Sequence, residues 1–148
     1  MNHFTEGLRE FEEGHFGEAV ELFSRAIANG EEVPAAYSKR GVCQIRLGRL
    51  KNAEADFYAA LSADARCVSA IVNLGNLMLE RGNLDEANLY YERALRIDDT
   101  HALAHHNLGV LFRRKGEIGA SIRELRLAAK YEAKPGTARK RLRWWRRR

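Results

Sequence analysis

The sequence is poor in the residues that would tie it to an export route or a redox framework. It has two cysteines, Cys43 and Cys67, in 148 residues, too few for a disulfide scaffold. Both are expected to be reduced thiols in a cytoplasmic protein. It has two prolines, Pro34 and Pro135, so proline seldom interrupts a helical pattern. No stretch approaches 18 consecutive apolar residues, which excludes a spanning helix. The start, Met1-Asn-His-Phe-Thr-Glu, lacks a basic segment followed by an apolar run, so no secretory signal is expected there. Acidic residues are absent from the last 13 positions. With 45% hydrophobic residues, the chain can build a continuous core.

What the sequence does contain is a repeat of 34 residues. Gly7, Gly41, Gly75 and Gly109 form one column, and Gly14, Gly48, Gly82 and Gly116 another. Ala26, Ala60, Ala94 and Ala128 form a third, while Ala19, Ala53, Ala87 and Ser121 form a fourth. Phe23, Phe57, Tyr91 and Leu125 line up as large residues. A fixed period of this length signals stacked supersecondary units. Glycine inside a helix costs about 1 kcal/mol relative to alanine, so the Gly75 column implies a close approach between helices. The small alanine columns serve the same need. The Gly82 column falls between two periodic segments and is expected to end the first helix of each unit. Asn83 and Asp85 are expected as turn and N-cap residues of the second. Paired helices are predicted over 2–13 and 17–29, 35–47 and 51–63, 69–81 and 85–97, and 103–115 and 119–132. Tyr91 and Leu95, four apart, should share a buried face.

These columns resemble the tetratricopeptide repeat (TPR) family. The likeness covers residues 1–135 as four copies, 1–33, 34–67, 68–101 and 102–135. It implies an all-α fold, a right-handed α-solenoid of four helix pairs, with 136–148 as a basic capping helix or tail. The copies depart from the family pattern in places. His3, Ile71 and His105 stand where an aromatic usually opens the first helix, which Tyr37 keeps. Glu6 and Arg40 replace the leucine that Leu74 and Leu108 retain. Glu31, Ala65, Asp99 and Ala133 occupy the usual closing-proline column.

The family resemblance also implies a function. In TPR proteins the first helix of each pair lines a concave surface where a peptide often lies. Its candidate contacts here are Lys39, Arg46, Asn73, Asn76, Asn107, Arg113 and Arg114. An asparagine amide both donates and accepts, so it suits a peptide bond of any sequence. The basic residues favour an acidic peptide or a C-terminal carboxylate. The lysine–asparagine clamp of chaperone-binding TPR proteins is not reproduced, because Phe4 and Leu8 occupy the positions of its first lysine and asparagine.

Charge is distributed unevenly. Residues 1–33 carry 2 basic and 8 acidic side chains, whereas 136–148 carry 7 basic and none acidic. Opposite ends of this kind suggest head-to-tail self-association. Pro135-Gly136 breaks the last helix and Thr137 can cap a new one, with Ala138, Leu142 and Trp145 on one face. Such a helix would cap the repeats. Alternatively, Arg139, Arg143, Trp144, Trp145 and Arg146 would contact anionic membrane or nucleic acid.

No phosphate-binding glycine loop, nucleophile motif or paired-cysteine motif supports an enzyme. No cofactor or small-molecule substrate is expected. His101 and His105 are four apart, but without a spaced cysteine or carboxylate they make no zinc site. His105 should pack in place of the missing aromatic. Glu10, Glu12 and Glu13 should form a solvated face. The sequence reading is therefore a non-enzymatic protein-interaction scaffold.

Overall fold

The computed structural model describes residues 1–132. The region expected to hold the capping helix, 136–148, and the tail residues Arg139, Arg143, Trp144, Trp145 and Arg146 lie outside the described residues. Among the described residues the fold is all-α. Its elements are α1 (His3–Glu12), α2 (Phe16–Ala28), α3 (Val33–Arg46), α4 (Leu50–Ala63), α5 (Val68–Glu80), α6 (Leu84–Ile97), α7 (Ala102–Arg114) and α8 (Ile118–Tyr131). Each lies within two residues of its predicted span. None is long and apolar enough to cross a membrane. The chain forms two compact units, Met1–Asn73 and the part from Leu74 onward.

The turns follow from the second glycine column. Gly14, Gly48, Gly82 and Gly116 have φ of 78 to 84°, the left-handed conformation that a side chain disfavours. In each turn the glycine N–H and the next N–H reach back to carbonyls of the preceding helix. Gly82 N donates to Leu79 O at 3.1 Å and Asn83 N to Met78 O at 2.9 Å, and the other three turns repeat the pattern. This arrangement satisfies carbonyls left open at the helix end. The helix starts are less regular. Asn83 stands at the N-cap position of α6, but its side chain makes no capping hydrogen bond. Asp85 lies inside the first turn and meets Lys115 Nζ at 3.2 Å. Asn83 is thus the turn residue predicted, whereas Asp85 does not stand at the N-cap. Side-chain caps appear at α1, where Asn2 accepts from Thr5 N, and at α7, where His101 accepts from Ala104 N.

The first glycine column acts through packing. A Cβ on Gly7, Gly41 or Gly75 would lie 2.7, 2.5 or 2.7 Å from the ring of Phe23, Phe57 or Tyr91. Glycine thus lets the second helix of each pair lay its ring against the first. In the last pair Leu125 replaces the ring, and a Cβ on Gly109 would meet its Cγ at 2.7 Å. Phe23, Phe57 and Tyr91 are fully buried, as are the alanines at 19, 26, 53, 60, 87 and 94. Leu95, predicted to share Tyr91's buried face, is only half-buried.

In the first unit, Phe4 packs on Phe23 with ring centroids 5.9 Å apart, and Leu8 joins the same core. That is where the side chains at the two clamp positions go. Arg40, in the column that elsewhere holds leucine, points into the α3–α4 packing. Its Nε and Nη2 donate to the two oxygens of Asp56 at 3.0 and 2.7 Å. Its Nη1 donates to Ser24 Oγ at 3.0 Å, bringing α2 into the network. Both cysteines are free thiols. Burial pushes the Cys43 thiol up to about 12, leaving it unreactive at neutral pH.

Candidate peptide-binding faces and a pocket

The residues proposed as peptide contacts separate into two groups. In the first unit, the cations of α3 lie over aromatic rings. Lys39 Nζ is 5.0 Å from the centre of the Phe11 ring, and the Arg46 guanidinium is 5.1 Å from that of Phe16. Phe11 and Phe16 themselves meet edge to face at 6.0 Å. The two cations therefore cover an aromatic pair. Asn73, the last residue of this unit, is 8% exposed and donates to Ser38 Oγ at 3.5 Å.

In the second unit, Asn76 is fully buried. Its Oδ1 accepts from both Tyr91 Oη and Asn107 Nδ2, each at 2.5 Å. Its Nδ2 has no hydrogen-bond partner among the described residues. Asn107 is 5% exposed. The three asparagines proposed as groove contacts are largely enclosed, and Asn76 works as an internal bridge from α6 to α7. Burial also pushes the Tyr91 phenol well above its ordinary value, so it stays protonated and donates. Arg113 and Arg114 are exposed at the end of α7. Arg114 Nη1 donates to Leu79 O at 2.9 Å, which fixes its guanidinium against α5.

His105 is buried beside Tyr131, with ring centres 5.6 Å apart, so it does fill the aromatic position. It also makes two polar contacts that an aromatic could not. Nδ1 is 2.7 Å from Glu124 Oε2, and Nε2 donates to Asp99 O at 2.8 Å. Glu10, expected to be solvated, instead meets His15 Nδ1 at 2.7 Å, with Glu13 at 3.5 Å. The hydrogen bond to Glu10 raises the His15 pKa.

Sequence reasoning missed one feature of the second unit. An open pocket of about 360 Å³ lies among α6, α7 and α8. Leu95, Leu108 and Phe112 form its apolar part, with Asn88, Glu92, Arg96 and Glu124 as its polar lining. The only signal in the sequence was the i, i+4, i+8 spacing of Asn88, Glu92 and Arg96, which reads as an ordinary solvated stripe.

Residues 4–66 match a family model described as tetratricopeptide repeat, and residues 75–116 match one described as TPR repeat. The chain belongs to the tetratricopeptide repeat family. Among curated relatives, heat shock protein STI1 of Saccharomyces cerevisiae is 28% identical over 109 residues, 73% of this chain and 18% of that protein. The chain thus spans under a fifth of that relative's length. Two solved structures show the same fold. TTC0263, a TPR protein of Thermus thermophilus, is 21% identical with a TM-score of 0.73, covering 90% of this chain and 75% of that one. The first TPR of Spaghetti (RPAP3), bound to the HSP90 peptide SRMEEVD, is 21% identical with a TM-score of 0.68, covering 77% of this chain and 90% of that one.

Proposed function

We propose that this TPR protein is a non-enzymatic interaction scaffold that takes an acidic or polar peptide segment on the first-helix faces of its pairs, in a reducing, cytoplasmic setting. The observation that carries this reading is the end of α7. Arg113 and Arg114 stand exposed there, and the hydrogen bond to Leu79 O already orders Arg114. A cation held in place loses less side-chain freedom when a carboxylate arrives. Asn107 lies six and seven residues earlier on the same helix, about 10 Å away, and can follow a peptide backbone once a ligand displaces its internal bond. The peptide bound by the RPAP3 TPR also contains acidic residues. With Phe4 and Leu8 in the core, recognition here would depend on residues other than that clamp.

The test is fluorescence anisotropy with labelled peptides that carry two or three acidic residues and a free C-terminus. Losing a charge-assisted hydrogen bond costs about 1.5–3 kcal/mol, so Arg113→Ala with Arg114→Ala should weaken binding by about tenfold or more. Asn107→Ala should weaken it further without changing the preference for acidic residues. Equal affinity for neutral and acidic peptides, or no change in the arginine variant, would remove this face as the site.

A further inference from the structure

The pocket among α6, α7 and α8 plays no part in the peptide reading, and its chemistry points to a different occupant. Its apolar part, Leu95, Leu108 and Phe112, suits a large apolar group. Glu92 and Glu124 bring two carboxylates against the single cation of Arg96. Asn88 donates through Nδ2 to Glu92 at 3.2 Å, yet its Oδ1 is buried and accepts from no group among the described residues. An unsatisfied buried acceptor is costly, so a ligand that supplies an N–H is favoured. Leu89, 64% exposed, lies one turn from Glu92 on the same helix. A flat apolar ring with one N–H donor and a neighbouring cation answers all of these features. A tryptophan beside an arginine has that composition.

This chain carries such a segment. Its only two tryptophans lie in the run Arg143-Trp144-Trp145-Arg146, and residues 136–148 hold seven basic and no acidic side chains. The connection is also long enough. Glu124 lies seven residues before the end of α8, about 10 Å along the helix. The twelve residues from Glu132 to Trp144 span up to about 40 Å when extended, so the segment can return to the pocket of its own molecule. We propose that residues 141–148 dock in this pocket, a tryptophan filling the apolar part and donating toward Asn88, with arginines facing Glu92 and Glu124. A docked segment is withheld from anionic lipid and nucleic acid.

Because both tryptophans lie in the segment, tryptophan emission, excited where tyrosine does not absorb, reports on it alone. Docking should give emission blue-shifted from free N-acetyltryptophanamide and acrylamide quenching that is several-fold slower. Glu92→Lys at an exposed position and Asn88→Ala at a half-buried one should move emission and quenching toward the free values while helical circular dichroism is unchanged. Arg143→Glu with Arg146→Glu should restore the shift in the Glu92→Lys background. Water-like emission from the unmodified chain would overturn the proposal, as would a blue shift that ignores both pocket variants. A shift that fades on dilution would assign the segment to a second copy. One that appears only with phosphatidylserine–phosphatidylcholine vesicles would assign it to a membrane. Either of these results also overturns docking within one molecule.

Discussion

The two units place polar groups between their helices in opposite ways. Within Met1–Asn73 the device is a charge pair, with Arg40 clasping Asp56 through two hydrogen bonds. In the part from Leu74 onward it is a neutral junction, with Asn76 taking one proton each from Tyr91 and Asn107. Leu74 and Leu108, both buried, show that the column Arg40 occupies accepts a hydrocarbon. Apolar residues should therefore replace the whole pair at little cost, whereas a half-removed pair is costly. The neutral junction carries no such penalty, and its weak point is the idle amide of Asn76.

The largest test of this contrast lies in the first unit. Asp56→Ala leaves a partly buried guanidinium with only the Ser24 hydroxyl as hydrogen-bond partner among those described and should cost about 3 kcal/mol, whereas Arg40→Leu with Asp56→Leu should recover most of that loss. Urea unfolding of the three proteins measures it, and equal losses in the single and double variants would contradict the account. Next come the glycines beneath the rings. Gly41→Ala and Gly75→Ala should each cost about 2 kcal/mol through overpacking, seen as a lower thermal midpoint. Gly109→Ala should cost less, because the Leu125 side chain can rotate away where a ring cannot. A smaller loss belongs to the neutral junction. Tyr91→Phe removes one donor to Asn76 and should lower stability by about 1 kcal/mol, with an unchanged denaturant slope.

The smallest effect is on α1. The raised pKa of His15 means that its pairing with Glu10 stabilises fully below the ordinary value of 6.5 and is lost as pH rises through the higher folded value. His15→Gln should therefore abolish a small fall in stability above pH 6.5. An identical pH profile in the two proteins would show that this pairing contributes nothing.

Much of the fold could be read from the period. The glycine column beneath the rings and the left-handed glycines at the turns are local demands, so they repeat wherever the helix pair repeats. The departures from the pattern were harder to interpret. Arg40 looked like a lost leucine, because its partner Asp56 lies 16 residues away and reads as an ordinary surface acid. The burial of Asn76 and Asn107 was not legible, since nothing in their spacing reveals that Tyr91 reaches across to Asn76. His105 was assigned by size alone, and its contacts with Glu124 and Asp99 depend on α8 and on a turn. The pocket was invisible because three helices contribute to it.

The four glycine turns have open space where a side chain would begin, with nothing within 4 Å of a Cβ at Gly14, Gly48, Gly82 or Gly116. What each turn requires is a backbone angle, and a side chain starting there would meet no neighbour. These are natural splice points. Doubling the length of a flexible loop costs only about 0.6 kcal/mol, so a foreign segment inserted there should leave the helices on either side seated. An epitope, a fluorophore or a second binding module can thus be carried between the helices of a pair without disturbing the ring-on-glycine packing that holds them together.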